Sequence, residues 1–130
     1  MTPQLNHTIV WSRDKHRGAA FLAGILGLPA PKPMFGGHFI VVELANGVSL
    51  DFGNKEGGEP AKQHYAFLVS DAEFDAGFQR IQDQGLTFWA DPGCSDPGQI
   101  NHRFGGRGVY FEDPSGHLLE LITQPYKDEP

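Results

Sequence analysis

His7-Thr-Ile-Val-Trp-Ser-Arg-Asp14 and His64-Tyr-Ala-Phe-Leu-Val-Ser-Asp71 follow one pattern: a histidine, an apolar-rich run, and an aspartate seven residues after the histidine. The two stretches are offset by 57 residues, and Phe21 and Phe78 each fall fourteen residues after their histidine. An internal repeat of this kind decides the architecture before any single element does. The match resumes downstream at an offset of 69, with Phe35-Gly36-Gly37 against Phe104-Gly105-Gly106, Glu43 against Glu112, Gly47 against Gly116 and Leu50 against Leu119. Asp51 then falls opposite Glu120. The change of offset requires a 12-residue insertion in the second copy, and Ala90-Asp-Pro-Gly-Cys-Ser-Asp-Pro-Gly-Gln99, rich in turn-formers, is the place for it.

Each copy predicts the same run of elements. Asn6 to Val10 and His64 to Val69 are rich in β-branched and aromatic residues and read as strands. Ser70-Asp-Ala-Glu73 has the form of a capping box, followed by Phe74, Phe78 and Ile81 at helical spacing and Gly85 as a stop. Asp14 caps the corresponding helix, which carries Phe21, Leu22, Ile25 and Leu26 and ends at Gly27 and Pro29. Two hairpins follow: 39–44 with 48–52 across Ala45-Asn-Gly47, and 109–112 with 117–122 across Asp113-Pro-Ser-Gly116. One further strand between each helix and its hairpin completes a βαβββ unit, written twice. The expected fold is therefore α+β, one domain over 1–124 built from repeats at about 5–55 and 62–124, with a frayed tail at 125–130. The two copies are expected to pair their sheets around a groove, within one chain or between swapped modules of a homodimer.

Composition narrows the function classes. The chain has 130 residues, 39% of them apolar, and Gly adds 17, which suits a globular domain. No apolar run approaches the ~20 residues of a membrane span, and Met1-Thr-Pro-Gln-Leu-Asn6 lacks the features of a signal peptide, so the expected location is the cytoplasm. A net charge of −6 argues against nucleic acid or an anionic membrane as partner. With one cysteine, Cys94, the chain can form neither an internal disulfide nor a CxxC zinc site, so a metal would have to be held by His and carboxylate.

The repeat selects the ligands. His7 and His64 open the first strands, and Asp51 and Glu120 sit in the last ones. Glu120 is set inside Leu118-Leu-Glu-Leu-Ile122, where an ionised carboxylate on a sheet's inner side is costly without a cation or hydrogen bonds. Two His and one carboxylate form the facial triad that binds non-haem Fe(II) and leaves positions open. Fe(II) is the first choice for this set, with Mn, Zn or Ni behind it. Of the other candidates, His38 before a strand offers a second proton-handling group or an edge residue. Arg103, Arg107 and Phe111 are assigned to a small-molecule substrate. His16 and His117 read as solvated, and Phe35, Trp89 and Phe104 as core.

On these residues the chain resembles the vicinal oxygen chelate superfamily of glyoxalases, bleomycin resistance proteins and type I extradiol dioxygenases. Paired βαβββ modules and a His, His, Glu set are its hallmarks, which map onto His7, His64 and Glu120. A tighter resemblance runs through Ile100-Asn-His102, Val109-Tyr110, Asp113-Pro-Ser-Gly116 and Glu120, which follow the extradiol signature at every required position. That resemblance implies that His102 and Tyr110 stand beside the metal and hydrogen-bond the substrate oxygens, and that the activity is Fe(II)-dependent cleavage of a small catechol. The extradiol enzymes of this type are about twice as long. At the position of Asp51, glyoxalase I carries a fourth ligand, Glu. A ligating Asp51 would favour a lyase, isomerase or thiol transferase, and a groove without metal would make the protein a drug-binding module.

Overall fold

The computed structural model describes residues 1–127, which divide into two compact units, 1–61 and 62–127. In the first unit, strand β1 (His7–Ser12) leads into helix α1 (Lys15–Leu26), followed by β2 (Lys32–Met34), β3 (Phe39–Glu43) and β4 (Ser49–Asn54). In the second, β5 (His64–Leu68) leads into α2 (Asp71–Asp83), β6 (Phe88–Trp89), β7 (Gly108–Glu112) and β8 (Leu118–Ile122). Each unit is a four-stranded mixed sheet, ordered β1-β4-β3-β2 and β5-β8-β7-β6. Both are the βαβββ module that the repeat predicts, including the two short strands that no local periodicity announces. Pro33 in β2 is tolerated because that strand lies at a sheet edge.

The caps act as read from the sequence. Asp14 accepts from the His16 and Arg17 N–H groups, and Gly27 closes α1 at φ 69, in the left-handed region that favours glycine. Ser70 and Glu73 form a reciprocal capping box on α2. The face that α1 buries is shifted from the predicted one: Gly18, Ala19, Leu22, Ala23 and Ile25 go inside, while Phe21 and Leu26 are half-buried. Small residues let α1 approach the sheet so closely that a Cβ on Gly18 would stand 3.0 Å from the Phe52 ring. α2 buries Phe74 and Ile81 fully, and deleting the Phe74 ring would cost roughly 3 to 5 kcal/mol.

Strand parity then decides what faces away from the helices. In the first unit, His7 pairs with Ser49 and Ile9 with Asp51. In the second, His64 pairs with Leu118 and Ala66 with Glu120. The same two-residue step from histidine partner to carboxylate recurs, so each unit carries one histidine and one carboxylate on the sheet face opposite its helix. His117 corrects an expectation. Parity turns it to the helix-covered face, where it is buried, its Nδ1 accepts from the Gln63 N–H and its ring meets Tyr65 edge-on. Phe35 corrects another, being 76% exposed rather than core. Among the described residues, no helix is long and apolar enough to cross a membrane.

Candidate metal centre

In the second unit, β7 and β8 run antiparallel with Tyr110 directly opposite Glu120. Both are buried, Glu120 to 1% exposure inside an otherwise apolar strand. A carboxylate there needs compensation for lost hydration. His64, at the head of the adjacent β5, places Nε2 at 3.1 Å from Glu120 Oε1. The other nitrogen of that ring, Nδ1, lies 3.0 Å from the Leu118 carbonyl. A carbonyl only accepts, so Nδ1 carries the hydrogen, and in the neutral imidazole Nε2 presents a lone pair to Glu120. Two lone pairs at that distance require a positive centre, either a proton or a metal ion. An imidazole whose Nδ1–H is held by a backbone carbonyl is also the usual outer-shell support of a metal ligand. His64 and Glu120 therefore fit a divalent ion as two of its ligands.

Around the pair, the Tyr126 hydroxyl donates to Glu120 Oε1 at 3.1 Å and reaches Oε2 at 3.4 Å. The Arg103 Nη1 donates to the Tyr110 hydroxyl oxygen at 3.3 Å. The His64 and Tyr110 rings lie 5.8 Å apart. Burial, first, and then hydrogen bonds to Tyr126 and Glu120 and the Glu120 charge push the Tyr110 phenol well above its ordinary 10.0. Tyr110 therefore remains a neutral donor across the working pH range.

The first unit holds the matching positions. His7 Nδ1 lies 2.7 Å from Asn6 Oδ1. Asp51 is 9% exposed and accepts from Ser49 Oγ at 2.9 Å. His7, Asp51, Ser49, Lys32, Met34 and Phe35 line a groove of about 410 Å³. Among the described residues, no three His, Cys, Asp or Glu side chains gather as a metal site, so the structure joins His64 to Glu120 and adds no third such ligand.

Other expected site residues fall elsewhere. His102 is exposed at the head of the 3-10 turn 103–105 and makes no side-chain cap there; the side chain of that segment that reaches Tyr110 is Arg103. Arg107 is committed to structure: its guanidinium bonds Asp75 at 2.6 Å and Asp71 at 3.1 Å and lies 4.5 Å over the Phe74 ring. Phe111 is fully buried on the face of β7 opposite Tyr110. His38 is exposed with its ring edge-on to Phe39. The tail expectation needs correction. Asp128 to Pro130 lie outside the described residues, but Tyr126 is tied to Glu120, a role the sequence reading missed. Its one signal was an aromatic residue standing among Pro and charged residues just past the last strand.

The fold and family are shown by comparison with known proteins. The solved structure of oxidase ChaP-H1 superposes with a TM-score of 0.93 at 55% identity, covering 98% of this chain and 100% of that one. Oxidase ChaP-H2 gives 0.92 at 58% identity, covering 97% of each. Glutathione transferase FosA of Serratia marcescens is 28% identical over 126 residues, 93% of this chain and 81% of its own. The model of the Glyoxalase/Bleomycin resistance protein/Dioxygenase superfamily matches residues 4–121. That match takes in both repeats, both strand-opening histidines and Glu120, and the chain accordingly belongs to this enzyme superfamily, with oxidases and a transferase among its relatives.

Proposed function

We propose that this protein is a metal-dependent, oxygen-using enzyme of the extradiol type, acting on a small catecholic substrate, with Fe(II) held by His64, Glu120 and, from the first unit, His7. The observation that carries the reading is the His64 ring, anchored at Nδ1 by the Leu118 carbonyl and turned at Nε2 onto a buried carboxylate. When bound, Fe(II) in such a set supplies Lewis acidity and redox chemistry at open coordination positions. The oxygen-using direction is supported by two oxidase relatives at 55% and 58% identity, against 28% for the transferase.

The chain's own residues have the complementary tasks. Tyr110, kept protonated, donates a hydrogen bond to a substrate oxygen as negative charge develops on it. Arg103, on the Tyr110 oxygen, adds positive charge to the same spot and favours an ionised substrate hydroxyl over a neutral one. His102, at the exposed head of that turn, is assigned to take the substrate proton and pass it to solvent.

A second reading, thiol transfer, is favoured by the FosA likeness across 93% of the chain. Anaerobic reconstitution with Fe(II), then oxygen uptake across a catechol panel, separates the two. Uptake that disappears in Tyr110→Phe is the expected result. No uptake with any catechol, together with glutathione consumption in the presence of an electrophile, would overturn the oxidase reading in favour of transfer. Less than about 0.2 ion per chain in protein purified without chelator, with His64→Ala no different, would make the protein a metal-free binder.

A further inference from the structure

β8 ends at Ile122, and the chain is tied down once more at Thr123, which exchanges hydrogen bonds with Arg107 at 2.8 and 3.0 Å. Three residues later, Tyr126 turns back onto the site. Its hydroxyl donates to Glu120, its ring lies 5.4 Å from that of Phe104, and the neighbouring Lys127 Nζ donates to the Phe104 carbonyl at 3.4 Å. Phe104 itself holds φ 56, a left-handed conformation that is strained for a residue with a β-carbon. Strain of this kind persists where the surroundings over-determine it. Tyr126 is 60% exposed, and its hydroxyl nevertheless ends on a carboxylate that is 1% exposed.

The repeat provides an internal control. At the offset that carries Glu120 onto Asp51, Tyr126 falls on Gly57. Phe35, the counterpart of Phe104 with a similar φ of 52, is left largely exposed. Only the copy that carries the glutamate has a tyrosine folded back onto it.

We infer that Tyr126 is a positioning residue for Glu120: its phenol donates to the carboxylate oxygen that also faces His64, and so holds the carboxylate in the orientation a metal ion would use. A hydrogen bond to a charged acceptor is among the stronger kinds, and outer-shell donors to metal ligands set affinity by roughly 10- to 100-fold. The functional consequence rests on the metal reading proposed above. The hydrogen bond itself belongs to the chain without metal.

The test compares wild type with Tyr126→Phe, which keeps the ring on Phe104 and removes only the donor. Titration with Mn(II), followed by the signal of the free ion, is expected to show binding about tenfold weaker in the variant with an unchanged far-UV spectrum. Equal affinity in the two proteins would overturn the inference, whatever happens to the tail. If wild type binds no Mn(II), the metal reading falls and the inference is decided on the metal-free protein. Chymotrypsin cuts after either aromatic at 126, and release of residues 127–130 is then expected to be roughly tenfold faster from Tyr126→Phe. Equal rates would overturn it.

Discussion

His64 Nε2 lies 3.1 Å from Glu120 Oε1 although 56 residues separate them in the chain, and the His64 Nδ1 is taken by the Leu118 carbonyl two residues before that glutamate. Parallel pairing of β5 with β8 produces both contacts at once, because the residue opposite His64 is Leu118 itself. The imidazole cannot rotate away from Glu120 without breaking a backbone hydrogen bond. Metal analysis should therefore find about one divalent ion per chain in wild type and less than about 0.2 in either His64→Ala or Glu120→Gln. With His7 as the proposed third ligand, His7→Ala is expected to lower the content as well, because a set of two ligands binds more weakly than one of three. Retention of the ion by Glu120→Gln would remove Glu120 from the ligand set.

Tyr110 gives the site a pH signature. Its folded pKa lies above the unfolded value of 10.0, so the stability it contributes is complete below pH 10.0 and is lost as the pH rises from there toward the folded pKa. Wild type should lose thermal stability more steeply than Tyr110→Phe above pH 10.0, and its last-ionising tyrosine should vanish from the phenolate absorbance titration of the variant. Tyr65 is also pushed upward, by burial and then by the Asp113 charge, so the comparison with Tyr110→Phe is needed to separate the two. Superimposable titrations would contradict the buried, hydrogen-bonded phenol.

What could be read in advance was whatever depends on short-range chemistry or on the repeat. Asp14, Ser70 and Glu73 cap helices through atoms within three residues, so their roles are legible locally. β2 and β6 have three and two residues and no periodicity of their own; they exist because the neighbouring strand pairs with them, and only the repeat pointed to them. His64 and Glu120 were legible because a polar residue at the same place in both copies is hard to explain as packing. Arg107 was not, because its partners Asp71, Asp75 and Phe74 lie on a helix more than thirty residues away. Nor was Tyr126, whose contact depends on how the chain turns after its last strand.

Arg107 should behave as a structural residue. Removing its guanidinium loses two partly exposed ion pairs and a stacking contact with the buried Phe74 ring, together roughly 1 to 2 kcal/mol. Arg107→Ala is expected to lower the denaturation midpoint while leaving KM for the substrate unchanged. A raised KM at unchanged stability would return Arg107 to the substrate site.

On the proposed metal reading, ligation by Asp51 would decide how many positions around a bound ion stay open. Asp51 matches Glu120 in the repeat and lies on the same sheet face as His7, but its carboxylate is one methylene shorter and is engaged by Ser49 Oγ at 2.9 Å. A fourth carboxylate ligand would close a position that oxygen chemistry requires and would leave the ion to act as a Lewis acid on a carbonyl or an electrophile. The oxygen-using reading therefore expects Asp51→Ala to keep its metal and its oxygen uptake, with Ser49→Ala equally harmless to both. Loss of the ion from Asp51→Ala, at a stoichiometry that Ser49→Ala preserves, would place Asp51 among the ligands. The chemistry would then be that of a transferase or isomerase, because a four-ligand ion cannot bind a chelating substrate and O₂ together without giving up one of its protein ligands.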